Sequence, residues 1–444
     1  MKRIFLFSLL FILINTTVFA MEISAPHAIL IDIDSGKMLY EKDAYSPVYP
    51  ASTTKVLTAI LALENCNLDD EVTASFKAVN SVYANGTTAS IQEGETHTVR
   101  DLLYTLLVHS ANDAAYILAE HIGGSTESFA SMMNARAKEL GATSTYFVNP
   151  NGLPSTSHKC SAYDMSIFAR HAMNTFPIFR EIVKTVNYTL PITEEYTKLY
   201  LNEYPNATNV TRYLTTTTNH LINPNRSSYY YEYATGIKTG YTDAAANCIV
   251  ASAEKDGVEL IVVIFGASGW NNLRNDCVNL FEYGFSKLKS ETLVAGGSII
   301  DTKIIENGPD DDNKLDVIVE DTLKATFSST DFVEAFSPSI EFVDNLKAPI
   351  TSGDVIGTIT YNVYNSTYTS NLLAGNSIST KTIISPTIIE KTTDVISIIL
   401  KIIMWSVIIV VGLFFALVLI RAYIITKKQQ MRSRQRRIYN SRFR

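Results

Sequence analysis

Cysteine is scarce: four residues in 444. No two of Cys66, Cys160, Cys248 and Cys277 have CxxC spacing, which excludes a dithiol redox motif. No HExxH and no cluster of His with Cys occurs, so no sequence pattern calls for a metal or another cofactor. Cys248 sits in an apolar strand-like run, and Cys277 shares a helix face with Leu273, Leu280, Phe281 and Leu288. That pattern predicts buried free thiols. Basic charge is scarce as well. Of 37 basic side chains against 44 acidic ones, Lys2, Arg3 and nine in the tail from Arg421 lie at the chain ends, leaving 26 against 44 between residues 21 and 420. A net charge of −18 makes that region a poor polyanion binder and disfavours nucleic acid as a partner. No internal repeat is visible.

Three short motifs stand in order: Ser52-Thr53-Thr54-Lys55, Ser110-Ala111-Asn112 and Lys238-Thr239-Gly240. A lone SxxK is more often a helix cap beside a solvated lysine, and Ser286-Lys287-Leu288-Lys289 repeats the pattern in an ordinary amphipathic segment. The ordered set is what carries information. Ser52 follows Tyr49-Pro50-Ala51 and precedes the apolar run Val56 to Leu63, which predicts a turn opening into a helix. Residues three apart on a helix rise by roughly 4.5 Å on one face, so the Lys55 amine reaches the Ser52 hydroxyl. A neutral amine there removes the serine proton, which requires desolvation or a neighbouring positive charge such as Lys238. Ser110-Ala111-Asn112 is a polar break between two apolar helical runs. Lys238-Thr239-Gly240 falls on a predicted strand beside a hairpin turned at Asp256-Gly257, with Gly240 expected to let a substrate backbone approach.

The wider wording, Tyr49-Pro50-Ala51-Ser52-Thr53-Thr54-Lys55, His109 to Ala115, Phe147-Val148-Asn149-Pro150-Asn151-Gly152-Leu153 and Gly236 to Thr242, resembles the low-molecular-mass penicillin-binding proteins that are D-alanyl-D-alanine carboxypeptidases. The resemblance is strong over about residues 25 to 290. It departs at Ala111, where many relatives have glycine, and from Asn187 to Tyr233, which does not align. It implies an acyl-enzyme on Ser52 with Lys55 as base, and Ser110 and Lys238 passing a proton to the leaving D-alanine. It further implies that Asn112 orients the substrate, that Thr239 binds the terminal carboxylate with help from Lys238, and that the backbone N–H groups of Ser52 and Tyr241 form the oxyanion hole beside Gly240. The implied partners are peptidoglycan stem peptides, with β-lactam antibiotics as inhibitors. A β-lactamase and a non-catalytic wall-binding or drug-sensing receptor are the alternatives; the three intact motifs disfavour the receptor, and a Ser-Asp-Asn second motif would suit a β-lactamase better.

The strand signals near residues 28 and 240 with helical patterns between them predict an α+β, transpeptidase-like domain whose first and last segments share an antiparallel sheet. A small all-β domain and a C-terminal membrane helix are expected to follow. The expected layout is a signal peptide at 1–20, the catalytic domain at 21–290, the β domain at 291–380, a stalk at 381–401, a single transmembrane span at 402–420 and a basic cytoplasmic tail at 421–444. The uncharged run Ile402 to Ile420 is nineteen residues long, enough to span a hydrocarbon core of about 30 Å. Positive charge beside a span stays inside, so the catalytic domain is expected to be anchored to the cell membrane and face outward.

Overall fold

A computed structural model describes residues 21–82, 86–212, 215–331, 333–381 and 387–440; the expected signal peptide lies outside them. Five antiparallel strands form the central sheet, in the spatial order Met38–Lys42, His27–Asp32, Val258–Ala267, Ala246–Lys255, Ala234–Thr242. Ile29 registers with Val263 and Lys238 with Val250, so the two ends of this region do share one sheet. The α+β expectation holds. Side chains alternate across a strand. Accordingly Ile261, Val263 and Phe265 enter the core shared with the central helices, while Leu260, Val262 and Ile264 enter the core under the helix Trp270–Lys287. Asp256 (φ 52°) and Gly257 (φ 78°) make the expected hairpin turn, which requires positive φ at both central positions.

The helix Lys55–Asn65 is buried along Val56, Leu57, Ala59, Ile60, Leu61 and Ala62, because helices Val99–Val108, Asn112–Gly123 and Ala162–Thr175 surround it. Full burial of a Val, Leu or Ile side chain contributes about 1.5–3 kcal/mol, so this helix is positioned firmly by its apolar faces. Thr98 and Asp101 form a reciprocal capping box that starts the helix Val99–Val108. Gly124, at φ 71°, ends the helix Asn112–Gly123 in the left-handed conformation.

The chain divides into two compact units. One comprises Met1–Lys303, Asp316–Leu346 and Ser352–Asn376; the other comprises Ile304–Leu315, Lys347–Thr351 and Ser377–Arg444. Most of the predicted β region thus groups with the first unit. Strand pairing and one carboxylate account for this: Leu288–Val294 pairs with Leu323–Ser328, and Asp34, in the turn after His27–Asp32, accepts from the Tyr368 hydroxyl at 2.5 Å and the Thr326 N–H at 3.3 Å. Among the described residues this region is all-β apart from a short 3-10 turn, Val333–Ala335.

In the second unit Ile350 and Ile378 bridge, and Lys381 pairs with Asp310 at 2.6 Å. Its helix Thr387–Asn440 contains the whole of 402–420 and is long and apolar enough to cross a membrane. The segment expected as a stalk is already helical from Thr387, since apolar character sets in at Val395 and Ile396, ahead of the predicted span.

Candidate active site

Ala51–Thr54 forms a 3-10 turn that runs directly into the helix Lys55–Asn65. Ala51 (φ 48°) and Ser110 (φ 67°), one in each of the first two motif regions, are non-glycine residues held left-handed, a strained state that persists only where surrounding structure fixes it. Here the surroundings are explicit. Thr53 Oγ1 donates to the Pro50 carbonyl at 2.7 Å and Thr54 Oγ1 to the Ala51 carbonyl at 2.9 Å.

Lys55 is fully buried, and its Nζ lies 3.0 Å from Ser52 Oγ, 2.7 Å from Asn112 Oδ1 and 3.0 Å from the Asn151 carbonyl. Burial, and then the Lys238 cation, hold its pKa well below the ordinary lysine value against the opposing pull of Asp113. Both expected causes act, with desolvation ahead of Lys238. Lys238 is itself buried. Its Nζ donates to the Thr239 carbonyl at 2.9 Å and reaches Thr218 Oγ1 at 3.4 Å, and burial pushes its pKa down to about 7.

Ser110 and Asn112 sit at the junction of helices Val99–Val108 and Asn112–Gly123. The next residue explains their fixity: the buried Asp113 carboxylate accepts the backbone N–H groups of Ala89 and Ile91, both at 3.0 Å, while the Asn112 N–H donates to the Thr87 carbonyl at 2.8 Å. A cleft of about 610 Å³ opens above these groups, walled by Ser52, Ser110, Asn112, Thr239, Gly240 and Tyr241. The two lysines stand behind that wall.

Gly240 also meets the enzyme itself. A Cβ there would lie 2.8 Å from the Ser52 nitrogen and 3.0 Å from Ala51 Cβ, so the glycine makes room for the serine turn as well as lining the cleft. The Tyr241 ring is exposed, with its hydroxyl donating to Asp243 at 3.1 Å. The second SxxK lacks this geometry: Ser286, in the last turn of the helix Trp270–Lys287, donates to the Tyr283 carbonyl, while Lys289 lies on the strand Leu288–Val294 and pairs with Glu291. All four cysteines are free; Cys160, Cys248 and Cys277 are buried and Cys66 is partly exposed.

Sequence reasoning left four contributors without a role. Asn151 supplies a carbonyl to Lys55, and Gly152 (φ 87°) lies so close to Ala51 that an added Cβ would fall 1.8 Å from its carbonyl oxygen. Asn-Pro-Asn-Gly is a legible turn signature, but its contact with residues 51 and 55 is not local. His158 accepts from the Val148 N–H at Nδ1, which leaves Nε2 to donate to Thr54 Oγ1 at 2.9 Å; burial lowers its pKa to about 4, so it is neutral in this role. Thr218, from the unaligned stretch, borders the cleft and accepts from Thr239 Oγ1 at 2.7 Å.

An α+β core that presents a serine hydroxyl to a buried, deprotonation-prone lysine, with a second lysine on the neighbouring strand, defines a lysine-assisted serine acyl-transferase. The family model described as D-alanyl-D-alanine carboxypeptidase matches residues 14–269. The chain is 30% identical over 341 residues to the D-alanyl-D-alanine carboxypeptidase DacF of Bacillus subtilis, covering 76% of this chain and 80% of that one. A D-alanyl-D-alanine carboxypeptidase of Mycobacterium tuberculosis is 33% identical over 263 residues, covering 58% of this chain and 81% of the relative. Among solved structures, a peptidoglycan synthesis regulatory factor from Streptococcus pneumoniae superposes with a TM-score of 0.61 at 27% identity, covering 81% of this chain and 100% of that one. The chain belongs to the D-alanyl-D-alanine carboxypeptidase family of serine peptidases.

Proposed function

We propose that this chain removes the terminal D-alanine from peptidoglycan stem pentapeptides through an acyl-enzyme on Ser52, and that β-lactams acylate the same hydroxyl and leave slowly. The observation that carries the reading is the Lys55 amine, buried and 3.0 Å from Ser52 Oγ. Neutral Lys55 takes the Ser52 proton as Oγ bonds to the carbonyl carbon of the penultimate D-alanine. The backbone N–H groups of Ser52 and Tyr241 hold the developing oxyanion. Asn112 Oδ1 is taken by Lys55 at 2.7 Å, which leaves its amide N–H groups to orient the acyl side of the substrate. Ser110, backed by Lys238, delivers a proton to the departing amine as the C–N bond breaks, and Thr239 with Lys238 holds the terminal carboxylate. Water then cleaves the ester and restores Ser52.

The same reading places the protein in cell-wall biogenesis and the upkeep of cell shape. A signal peptide at 1–20 exports the domain at 21–290 and the β region at 291–380. The segment 381–401 leads into a span at 402–420 that anchors them to the outer face of the cell membrane, with the tail at 421–444 left inside. A chain ending at Ser379 is expected to be released in soluble form, to free D-alanine from a peptide ending in D-Ala-D-Ala, and to bind fluorescent penicillin covalently. Its Ser52→Ala variant is expected to be released in soluble form but neither to free D-alanine nor to bind penicillin, and undiminished labelling of that variant overturns the assignment. In spheroplasts, external protease is expected to spare an epitope placed after Arg444; its loss without lysis reverses the topology.

Lys238 predicts a pH dependence. Below its pKa of about 7 it is an ammonium ion able to hold the carboxylate; above, it is neutral. The KM for a peptide with a free carboxylate is therefore expected to rise above that pH, approaching about tenfold per unit, while neutral Lys55 sustains kcat. A KM that stays flat between about pH 6 and 9 shows that charge on Lys238 is not what holds the substrate.

A further inference from the structure

The peptide bond between Ala51 and Ser52 does two jobs on its two edges. It is trans and planar, so its carbonyl and its N–H point in opposite directions, and whatever fixes the one aims the other. The N–H belongs to Ser52 and holds the oxyanion in the proposed reaction. The carbonyl belongs to Ala51, whose φ of 48° is a strained setting that only outside contacts maintain.

Those contacts form a chain through three segments. The Val148 N–H donates to His158 Nδ1 at 3.2 Å, His158 Nε2 donates to Thr54 Oγ1 at 2.9 Å, and Thr54 Oγ1 donates to the Ala51 carbonyl at 2.9 Å. The directions follow from the first link: a ring nitrogen that faces a backbone N–H must accept, which leaves the imidazole proton on the other nitrogen. Thr54 and His158 are both buried, and Phe147 packs edge-on to the imidazole at 5.2 Å, so bulk water does not compete for these bonds. Gly152 closes on the same carbonyl, at a distance that leaves no space for a Cβ, and the peptide has little room to rotate. Neither Thr54 nor His158 lines the cleft.

We propose that Thr54 and His158 are positioning residues for the oxyanion hole, fixing the Ala51 carbonyl and thereby aiming the Ser52 N–H at the oxygen that becomes negative. Their contribution grows as charge develops on that oxygen, so it belongs to the transition state more than to the binding of substrate. The proposal rests on the acyl-enzyme reading and adds to it two residues that give no group to the reaction.

The test follows the ester carbonyl of the penicilloyl-enzyme by infrared difference spectroscopy, with benzylpenicillin isotopically labelled at the β-lactam carbonyl. The full chain is compared with its Thr54→Val, Thr54→Ser and His158→Phe variants. A hydrogen bond to a carbonyl oxygen weakens the C=O bond and lowers its stretching frequency, so the band reads the hole directly, and only molecules that have folded and acylated contribute to it. Thr54→Val keeps the shape and removes the hydroxyl. Its band is expected at higher frequency than in the wild type, and its limiting acylation rate is expected to fall about tenfold, the size of one hydrogen bond, at an unchanged half-saturating concentration. Thr54→Ser is expected to restore both. His158→Phe leaves Thr54 its bond to Ala51 but frees the hydroxyl to turn, and is expected to move both readings the same way by less. A Thr54→Val band at the wild-type frequency overturns the inference whether or not acylation slows, because the hole is then intact. Complete loss of acylation in a variant that still melts cooperatively also overturns it, because loosening one of two donors does not abolish capture. If Thr54→Val does not fold, the His158→Phe band decides by the same criterion. A wild-type chain that binds no penicillin covalently overturns the acyl-enzyme reading and this inference together, whereas a labelled wild type with unmoved variant bands overturns this inference alone.

Discussion

Lys55→Met is expected to slow penicillin acylation of Ser52 by about four orders of magnitude, at the upper end of what a positioned general base contributes. Methionine is unbranched and fits a long, narrow burial site without introducing charge. What is lost is the only amine at hydrogen-bond distance from Ser52 Oγ among the described residues. The variant also leaves Asn112 Oδ1 and the Asn151 carbonyl without their Lys55 bonds, at about 1–3 kcal/mol each, so a lower Tm is expected alongside the kinetic loss. Time courses of fluorescent labelling separate the two effects, since a folded but inert variant keeps a cooperative melt. A loss of only about tenfold would assign proton removal to another group, with Lys238 the first to examine.

Gly152→Ala is expected to cost more than about 3 kcal/mol of stability and to abolish labelling. Two causes act together. The residue sits at φ 87°, where an L side chain is strained, and the new Cβ would fall 1.8 Å from the Ala51 carbonyl oxygen and 2.8 Å from Thr54 Oγ1. Relief requires the loop to withdraw from the serine turn, which carries the Asn151 carbonyl away from Lys55. Gly124→Ala is the control. That glycine is also left-handed, at φ 71°, but has nothing within 4 Å of an added Cβ, so its cost is conformational alone, about 1 kcal/mol. Equal melting temperatures for the two variants would show that the contact at Gly152 carries no weight.

Local signals read well from the chain. The turn at Asp256-Gly257 and the helix behind Ser52 each follow from residues adjacent in sequence, where φ preference and apolar period act directly. The three motifs are legible for a different reason, as an ordered set resembling a known family, and that order filters out the second SxxK. Contacts set by packing were not legible. The sequence reads Gly240 as room for a substrate backbone, and only the fold reveals that it also makes room for Ser52. Asn151 and Thr218 lie far along the chain from Lys55 and Lys238, and no periodicity connects them. The same holds for Lys55: the sequence names both desolvation and Lys238 as causes, but that burial among helices is the larger is a property of the assembled core.

The Lys55 amine binds groups from residues 52, 112 and 151 at once, and the strand bearing Gly240 rests on the Ser52 turn. A newly made, half-folded chain has the serine but lacks its chemistry, because reactivity appears only when segments almost two hundred residues apart have closed on one another, a slow class of event in folding. Penicillin capture is therefore a clock for maturation: the interval between the completion of the chain and its first covalent label measures the time taken to complete the core, and antibiotic exposure during that interval passes the youngest molecules by.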